Sequence, residues 1–256
     1  MTRLIRYYRA GCLLAAAFAL IGCVSPRYRA APEKTPAPRL LNVAFAPAPV
    51  TAVLNTVITY NGPGSWKRDA CWDEYVISLH NPGAQPLQIS SATLSDFAGT
   101  PRPDGREPWA LEKESKRLER KYRDAGITFV RYTAPGVLIF GAGASFASAA
   151  FFSAGAATAA SACFLALPIY YAGVLTINHH NKAAMEKEFN RRRLALPLNL
   201  APGETRTGSF FFPMVPNPRS LGLRWSQERT EGETALPLGI LQGLHADASA
   251  ATPTSR

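Results

Sequence analysis

Val50-Thr-Ala-Val-Leu-Asn-Thr-Val-Ile-Thr-Tyr60 is dense in β-branched residues and ends on the turn signal Asn61-Gly62-Pro63-Gly64. β-Branched side chains suit the half-buried pleated surface of a strand and lose rotamer freedom in a helix, so this stretch predicts β structure. The same pattern extends on both sides, from Leu41 to Phe97. Trp72, Tyr75, Ile77 and Leu79 give mostly alternating apolar positions, with Trp72 expected in the core. Asn81-Pro82-Gly83 then turns the chain, and Leu87, Ile89 and Leu94 carry further strands.

The β pattern returns late. Leu194 to Leu200 is followed by the turn Ala201-Pro202-Gly203-Glu204. Ser209 to Met214 is strongly apolar, Leu221, Leu223 and Trp225 alternate, and Leu236 to Leu241 offers a last strand. Together these make about seven short strands separated by turns, the number expected of a small antiparallel sandwich. Pro197 would sit on an edge, where a missing N–H costs no ladder bond. Val76-Ile-Ser-Leu-His-Asn-Pro-Gly83 and Leu198-Asn-Leu-Ala-Pro-Gly-Glu-Thr205 resemble strand-and-turn segments of immunoglobulin-like sandwiches in bacterial envelope proteins. That resemblance implies an immunoglobulin-like antiparallel sandwich, with its first half in 41–105 and its second half in 194–245.

Residues 106–193 interrupt the two halves and are not β in pattern. Leu111, Ser115, Leu118, Tyr122, Ala125 and Phe129 recur at spacings of four, three, four, three and four, a helical stripe. Glu112 with Lys116, and Glu119 with Arg123, are i,i+4 pairs in the favourable order. Gly126 weakens this helix without having to end it. Tyr132 to Asn181 then contains no Asp, Glu, Lys or Arg, over fifty residues. A second polar helix follows from Asn178 to Arg193, with Met185 and Phe189 on one side and a Glu188–Arg192 pair. The simplest architecture is an α+β protein whose sandwich carries an antiparallel helical hairpin, polar along its stalk and apolar at its tip, 135–177. Gly141, Ser145, Ala149 and Ser153 put small residues every four positions on the first arm, a spacing that lets helices approach closely in lipid. Arg131, Tyr132 and Lys182 flank the tip as candidate interface residues. The tract is long enough to enter a membrane and return. A membrane hairpin is the preferred reading, and a helical pair buried on the sandwich or against another copy is the alternative.

The N-terminus supplies the compartment. Arg3, Arg6 and Arg9 precede the short apolar core Leu13 to Ile21, the layout of an export signal. Leu20-Ile21-Gly22-Cys23 resembles the lipobox of bacterial lipoproteins. The resemblance implies that residues 1–22 are a signal peptide and that Cys23 is acylated as the mature N-terminus. Val24, standing where such proteins often carry a retaining aspartate, implies sorting to the outer membrane, with the sandwich in the periplasm. Residues 23–40, rich in proline and positive charge, would be a flexible tether, and 246–256 a disordered tail.

The formal net charge of +10 falls to +7 once Arg3, Arg6 and Arg9 leave. An exported basic protein points to anionic lipid or wall polymers rather than nucleic acid, for which no motif is present. The basic flanks pose a tension, because the positive-inside rule would place them in the cytoplasm while the lipobox places them outside. Contact with headgroups from the periplasmic side, or insertion only within an assembly, relieves it.

Of the four cysteines, Cys12 leaves with the signal and Cys23 takes lipid. A Cys71–Cys163 bridge would require the apolar tract to lie on the domain. Cys71 has no base beside it in sequence, and only the fold could bring His80 to it. His179-His180 has alanines at 183 and 184, so no i,i+4 metal-ligand pair exists. No Walker loop, dinucleotide fingerprint or Gly-x-Ser-x-Gly is present. The expectation is a non-enzymatic envelope protein with no metal, cofactor or evident small-molecule substrate. Its partners would be membrane lipid, a second copy, or other envelope proteins. The alternatives are a self-associating pore or secretion component, and a partner-binding sandwich with the hairpin as oligomerisation arm.

Overall fold

The computed structural model describes residues 29–30, 38–45, 49–60, 62–131 and 179–246. Cys23, Tyr132, Gly141, Ser145, Ala149, Ser153 and the 135–177 tip lie outside them, as do the signal peptide and almost all of the expected tail. In chain order the elements are β1 (Arg29–Ala30), β2 (Val43–Ala44), β3 (Thr51–Ile58), β4 (Lys67–Arg68), β5 (Asp73–His80), β6 (Leu87–Ser95) and β7 (Pro101–Pro103). Helix α1 (Pro108–Asp124) and helix α2 (179–192) follow. The chain then forms β8 (Leu198–Leu200), β9 (Thr205–Phe212), β10 (Ser220–Gln227), β11 (Thr230–Pro237) and a single 3-10 turn, Gly239–Leu241.

Two antiparallel sheets hold the main core. One has the order β2-β3-β5-β9. The other runs β11-β10-β6, with β7 and β8 pairing separate stretches of β6. Alternation fixes which side chains meet between them. Ala52, Leu54 and Ile58 of β3 are buried while Val53 and Val57 are half-exposed, as the period of two requires. Tyr75, Ile77, Leu79, Phe210 and Phe212 face Leu87, Ile89, Leu94, Leu221, Leu223 and Trp225 in one cluster.

The same period corrects the expectation for Trp72. Its parity differs from that of Tyr75, Ile77 and Leu79, so it points out of the sandwich. It joins Trp66, Leu111, Met185, Phe189 and Phe211 in a second cluster, between the β5–β9 sheet and the helices. Phe210, Phe211 and Phe212 are all fully buried because both faces of this sheet are covered there.

The late strands differ from expectation in extent. Only residues 198–200 of the Leu194–Leu200 stretch pair as a strand, on the edge of β6, with Pro197 immediately before them. The phenylalanine run belongs to a strand that starts at Thr205, and the last strand ends at Pro237. Ala246, assigned to the tail from sequence, forms a bridge with Phe129.

The residues at the two boundaries of the insertion, 104–115 and 192–194, cover the free edge of β9. An uncovered edge would leave backbone donors and acceptors open to other chains. Here the Leu194 N–H donates to the Ser209 carbonyl at 2.9 Å and the Gly105 N–H to the Phe211 carbonyl at 2.7 Å. The Phe211 N–H donates to Asp104 Oδ1 at 2.8 Å, and the Met214 N–H to Ser115 Oγ at 3.0 Å. Gly208 permits this approach, since a Cβ there would stand 2.8 Å from Leu194 Cδ2 and 3.0 Å from the Arg192 carbonyl oxygen.

Helix α1 buries Leu111, Ser115, Leu118 and Tyr122, the first four positions of its predicted stripe. It does not run on as a hairpin arm. Gly126 takes φ +75°, the Ile127 N–H donates to the Tyr122 carbonyl and the Gly126 N–H to the Arg123 carbonyl. This paired closure with a left-handed glycine terminates the helix. Ala125 is exposed, and Phe129 lies beyond the helix. In place of one continuous two-helix stalk, α1 closes at Gly126; its Leu111 joins Met185 and Phe189 of α2 in the second cluster, while Leu118 and Tyr122 belong to the main core. No helix among the described residues is long and apolar enough to cross a membrane.

Candidate functional site

The charge-free tract is bounded by Arg131, after α1, and by α2, and side chains anchor both helices. Met185 and Phe189, one turn apart on α2, are fully buried. Phe189 stacks on Phe211 at 4.1 Å and meets Trp72 edge-on at 6.0 Å. Trp109, at the start of α1, also meets Trp72 edge-on, at 6.1 Å. Its indole N–H donates to Glu186, and Lys182 Nζ lies 5.0 Å from its ring centroid. The predicted interface residue Lys182 thus rests on the other helix's tryptophan.

The Glu188–Arg192 pair forms at 2.7 Å, and Glu188 also binds Arg191 at 2.6 Å. Hydrogen bonds from Arg191 and then Arg192 hold the Glu188 carboxyl down at about 2. Arg192 continues inward, 5.4 Å over the Trp66 ring and 3.4 Å from the buried Glu74. Glu74 accepts further hydrogen bonds from Trp66 Nε1 at 2.6 Å and Ser209 Oγ at 2.6 Å. A buried carboxylate needs such satisfaction of its lone pairs.

The other end of the tract is fixed at Arg131. Its guanidinium lies 2.6 Å from Glu119, which also pairs with Arg123 at 2.7 Å. The hydrogen bond to Glu119 raises the Arg131 pKa further. The i,i+4 pair Glu112–Lys116 forms as well. All three helix pairs expected from spacing are therefore present.

Beneath the helices lies a set of buried polar groups. Lys67 is fully buried, donates to the Trp72 carbonyl and sits 5.0 Å from that ring's centroid. Burial pulls its pKa down to about 8, against the opposing pull of Asp73 and Glu74. His245 Nε2 lies 2.8 Å from Asp73 Oδ2, and its Nδ1 lies 3.1 Å from the Val130 carbonyl oxygen. Both partners are acceptors, so the ring satisfies both only as the imidazolium. Burial works against that charge, but the Asp73 carboxylate outweighs it and the His245 pKa is raised. The Val130 N–H donates back to the His245 carbonyl at 3.0 Å. The arrangement clasps the chain after α1 to β5 and to the C-terminal segment. The doublet Asp73-Glu74 inside an aromatic-rich strand was its one visible trace in sequence.

Chemistry beyond this is sparse among the described residues. Cys71 is buried, and burial raises its pKa. His80 does not approach it. It sits at the opposite end of β5 on Thr205 Oγ1 at 3.0 Å, and that strand alone spans about 23 Å. Among the described residues no three His, Cys, Asp or Glu side chains converge as metal ligands. A surface cavity of about 280 Å³ opens between β7 and α1, lined by Arg102, Asp104, Arg106, Leu111 and Pro213. Arg102 is engaged with Asp96 at 3.1 Å and Glu114 at 3.5 Å. Burial pushes Asp104 up to about 7 while its Oδ1 serves the β9 edge.

Comparison with known proteins finds no matching family model, no matching curated protein and no matching solved structure.

Proposed function

We propose that the chain is a non-enzymatic, lipid-anchored protein of the bacterial cell envelope, with a structural or assembly role. The lipid on Cys23 provides one attachment and the apolar tract 135–177 a second, with the sandwich in the periplasm at the outer membrane. One observation carries most weight. The fifty charge-free residues from Tyr132 to Asn181 start beside Arg131, which is paired with Glu119 of α1, and finish in α2, which is seated by the buried Met185 and Phe189. A single lipid tether leaves a domain free to tumble, whereas a second attachment from a rigid seat fixes its orientation.

The strand order supports an immunoglobulin-like sandwich. Lettering β3, β5, β6, β8, β9, β10 and β11 as A to G gives A-B-E in one sheet and D-C-F-G in the other. Apart from the short β2 and β7, the immunoglobulin arrangement differs in placing its fourth strand beside E. The insertion then falls between C and D, a connection that can lengthen without disturbing the core.

The test removes the lipid. Residues 1–23 are replaced by a signal peptide cut by ordinary signal peptidase, and the exported protein is extracted with alkaline carbonate. Retention in the membrane pellet is expected. Release as soluble protein would mean that the tract is buried in protein and that lipid is the only anchor.

A further inference from the structure

The outward side of α1 is cationic by construction. Lys113, Lys116, Arg120 and Arg123 recur at spacings of three, four and three, which places them on one stripe of the helix. Two of them have carboxylate partners, but those carboxylates lie beneath the stripe. Glu112 and Glu119 side chains are 5% and 6% exposed, while Lys116 and Arg123 are 39% and 67% exposed. Arg131, also on Glu119, is 38% exposed. Each pair is neutral on paper, yet solvent meets its positive end. The acidic Glu114 belongs to a different side of the helix, where it pairs with Arg117 and Arg102.

The stripe also has a location. Near its first residue, Trp109 contacts Lys182 and Glu186 of α2, where the charge-free tract ends. Near its last, Arg123 and Glu119 hold Arg131, where the tract begins. The stripe thus runs about 15 Å along α1 between the two ends of the apolar segment. The ribbon of β1 and β4 adjoins the cluster beneath the helices. It pairs Arg29 with Arg68 and Ala30 with Lys67, and the neighbouring Trp66 belongs to the cluster beneath the helices. Only five residues separate Cys23 from Arg29, a reach of about 20 Å.

From the stripe and its setting, and resting on the membrane-anchored reading above, we infer that this face of α1 lies flat on an anionic phospholipid headgroup layer. Lys113, Lys116, Arg120 and Arg123 are its contact residues. Basic side chains at such a surface each gain about a fivefold preference for anionic over neutral lipid. The domain then rests on α1, with β10 and β11 directed away from the bilayer.

The test uses the full chain, purified in detergent and reconstituted into two kinds of vesicle. One is phosphatidylcholine alone, the other phosphatidylcholine with phosphatidylglycerol. Lysine acetylation rates are read site by site by mass spectrometry, and the same vesicles are extracted with carbonate. The expected result is carbonate resistance in both, with Lys113 and Lys116 acetylated about fivefold more slowly in the anionic vesicles. Lys121, which lies off the stripe, should not change. Carbonate resistance with equal Lys113 and Lys116 rates in the two vesicle types overturns the inference and leaves the anchoring intact. Equal protection in both, relative to detergent, means that protein rather than anionic lipid covers the stripe, and overturns it as well. Release by carbonate overturns the anchoring itself, and the inference with it.

Discussion

Replacing Phe189 with alanine tests whether α2 is seated on the sheet or merely lies near it. The ring is fully buried, stacked on Phe211 at 4.1 Å and edge-on to Trp72 at 6.0 Å. Truncating a buried phenylalanine removes its transfer free energy and leaves a cavity, a cost of about 3–5 kcal/mol. Ring–ring contacts such as these contribute roughly 0.5–1.5 kcal/mol each within that total. For a chain of this size the loss corresponds to a fall in Tm of about 10 °C. Phe189→Leu keeps most of the buried volume but loses both ring contacts, and should cost about 1–3 kcal/mol, less than the alanine. Guanidinium unfolding of the full chain in detergent, followed by tryptophan emission, reads both variants. Three of the four tryptophans, Trp66, Trp72 and Trp109, line or border this cluster, so the signal is local. A loss below about 1 kcal/mol for Phe189→Ala would refute the seat, because a cavity at that position cannot be so cheap. The fixed exit of the apolar tract, and the orientation derived from it, would fall too.

Two further outcomes follow from the buried lysine and the helix end. Lys67 is held near 8 when folded against 10.5 in the open chain, so between those values the unfolded state binds more protons and stability rises with pH. The rise, on the order of 3 kcal/mol, should be missing from Lys67→Met when urea midpoints at pH 7.5 and pH 10 are compared. A parallel pH dependence in the variant would show that Lys67 is not the titrating group. Gly126→Ala forces a Cβ onto a residue at φ +75° with open space around it, so strain alone should cost about 1–2 kcal/mol in a thermal melt. An unchanged Tm would mean that the helix end is not held in that conformation.

Much of the fold was legible because strands and helices write their periods locally. The alternation in β3, the buried stripe Leu111-Ser115-Leu118-Tyr122 and the pair Met185-Phe189 each need only a few residues of sequence to be seen. The ion pairs one turn apart were legible for the same reason. The end of α1 was not, since Gly126 can be tolerated inside a helix or can close it, and only packing of the following residues selects between the two. Alternation already sets Trp72 opposite Tyr75, Ile77 and Leu79, but only the tertiary structure shows that its face is covered by the helices and buried in a second cluster.

The candidate site divides along the same line. Sequence alone determined the charge-free tract, its basic flanks and the spacing of the α1 stripe, since charge and helical period are properties of neighbouring residues. Tertiary structure alone decided that Glu112 and Glu119 are buried beneath their exposed partners, so that paired charges still present a cationic surface. It alone brought His245 to Asp73, 172 positions apart, and laid the boundaries of the insertion along the β9 edge. Those contacts arise from chain closure over long separations, where burial and hydrogen-bond satisfaction select partners that no local pattern encodes.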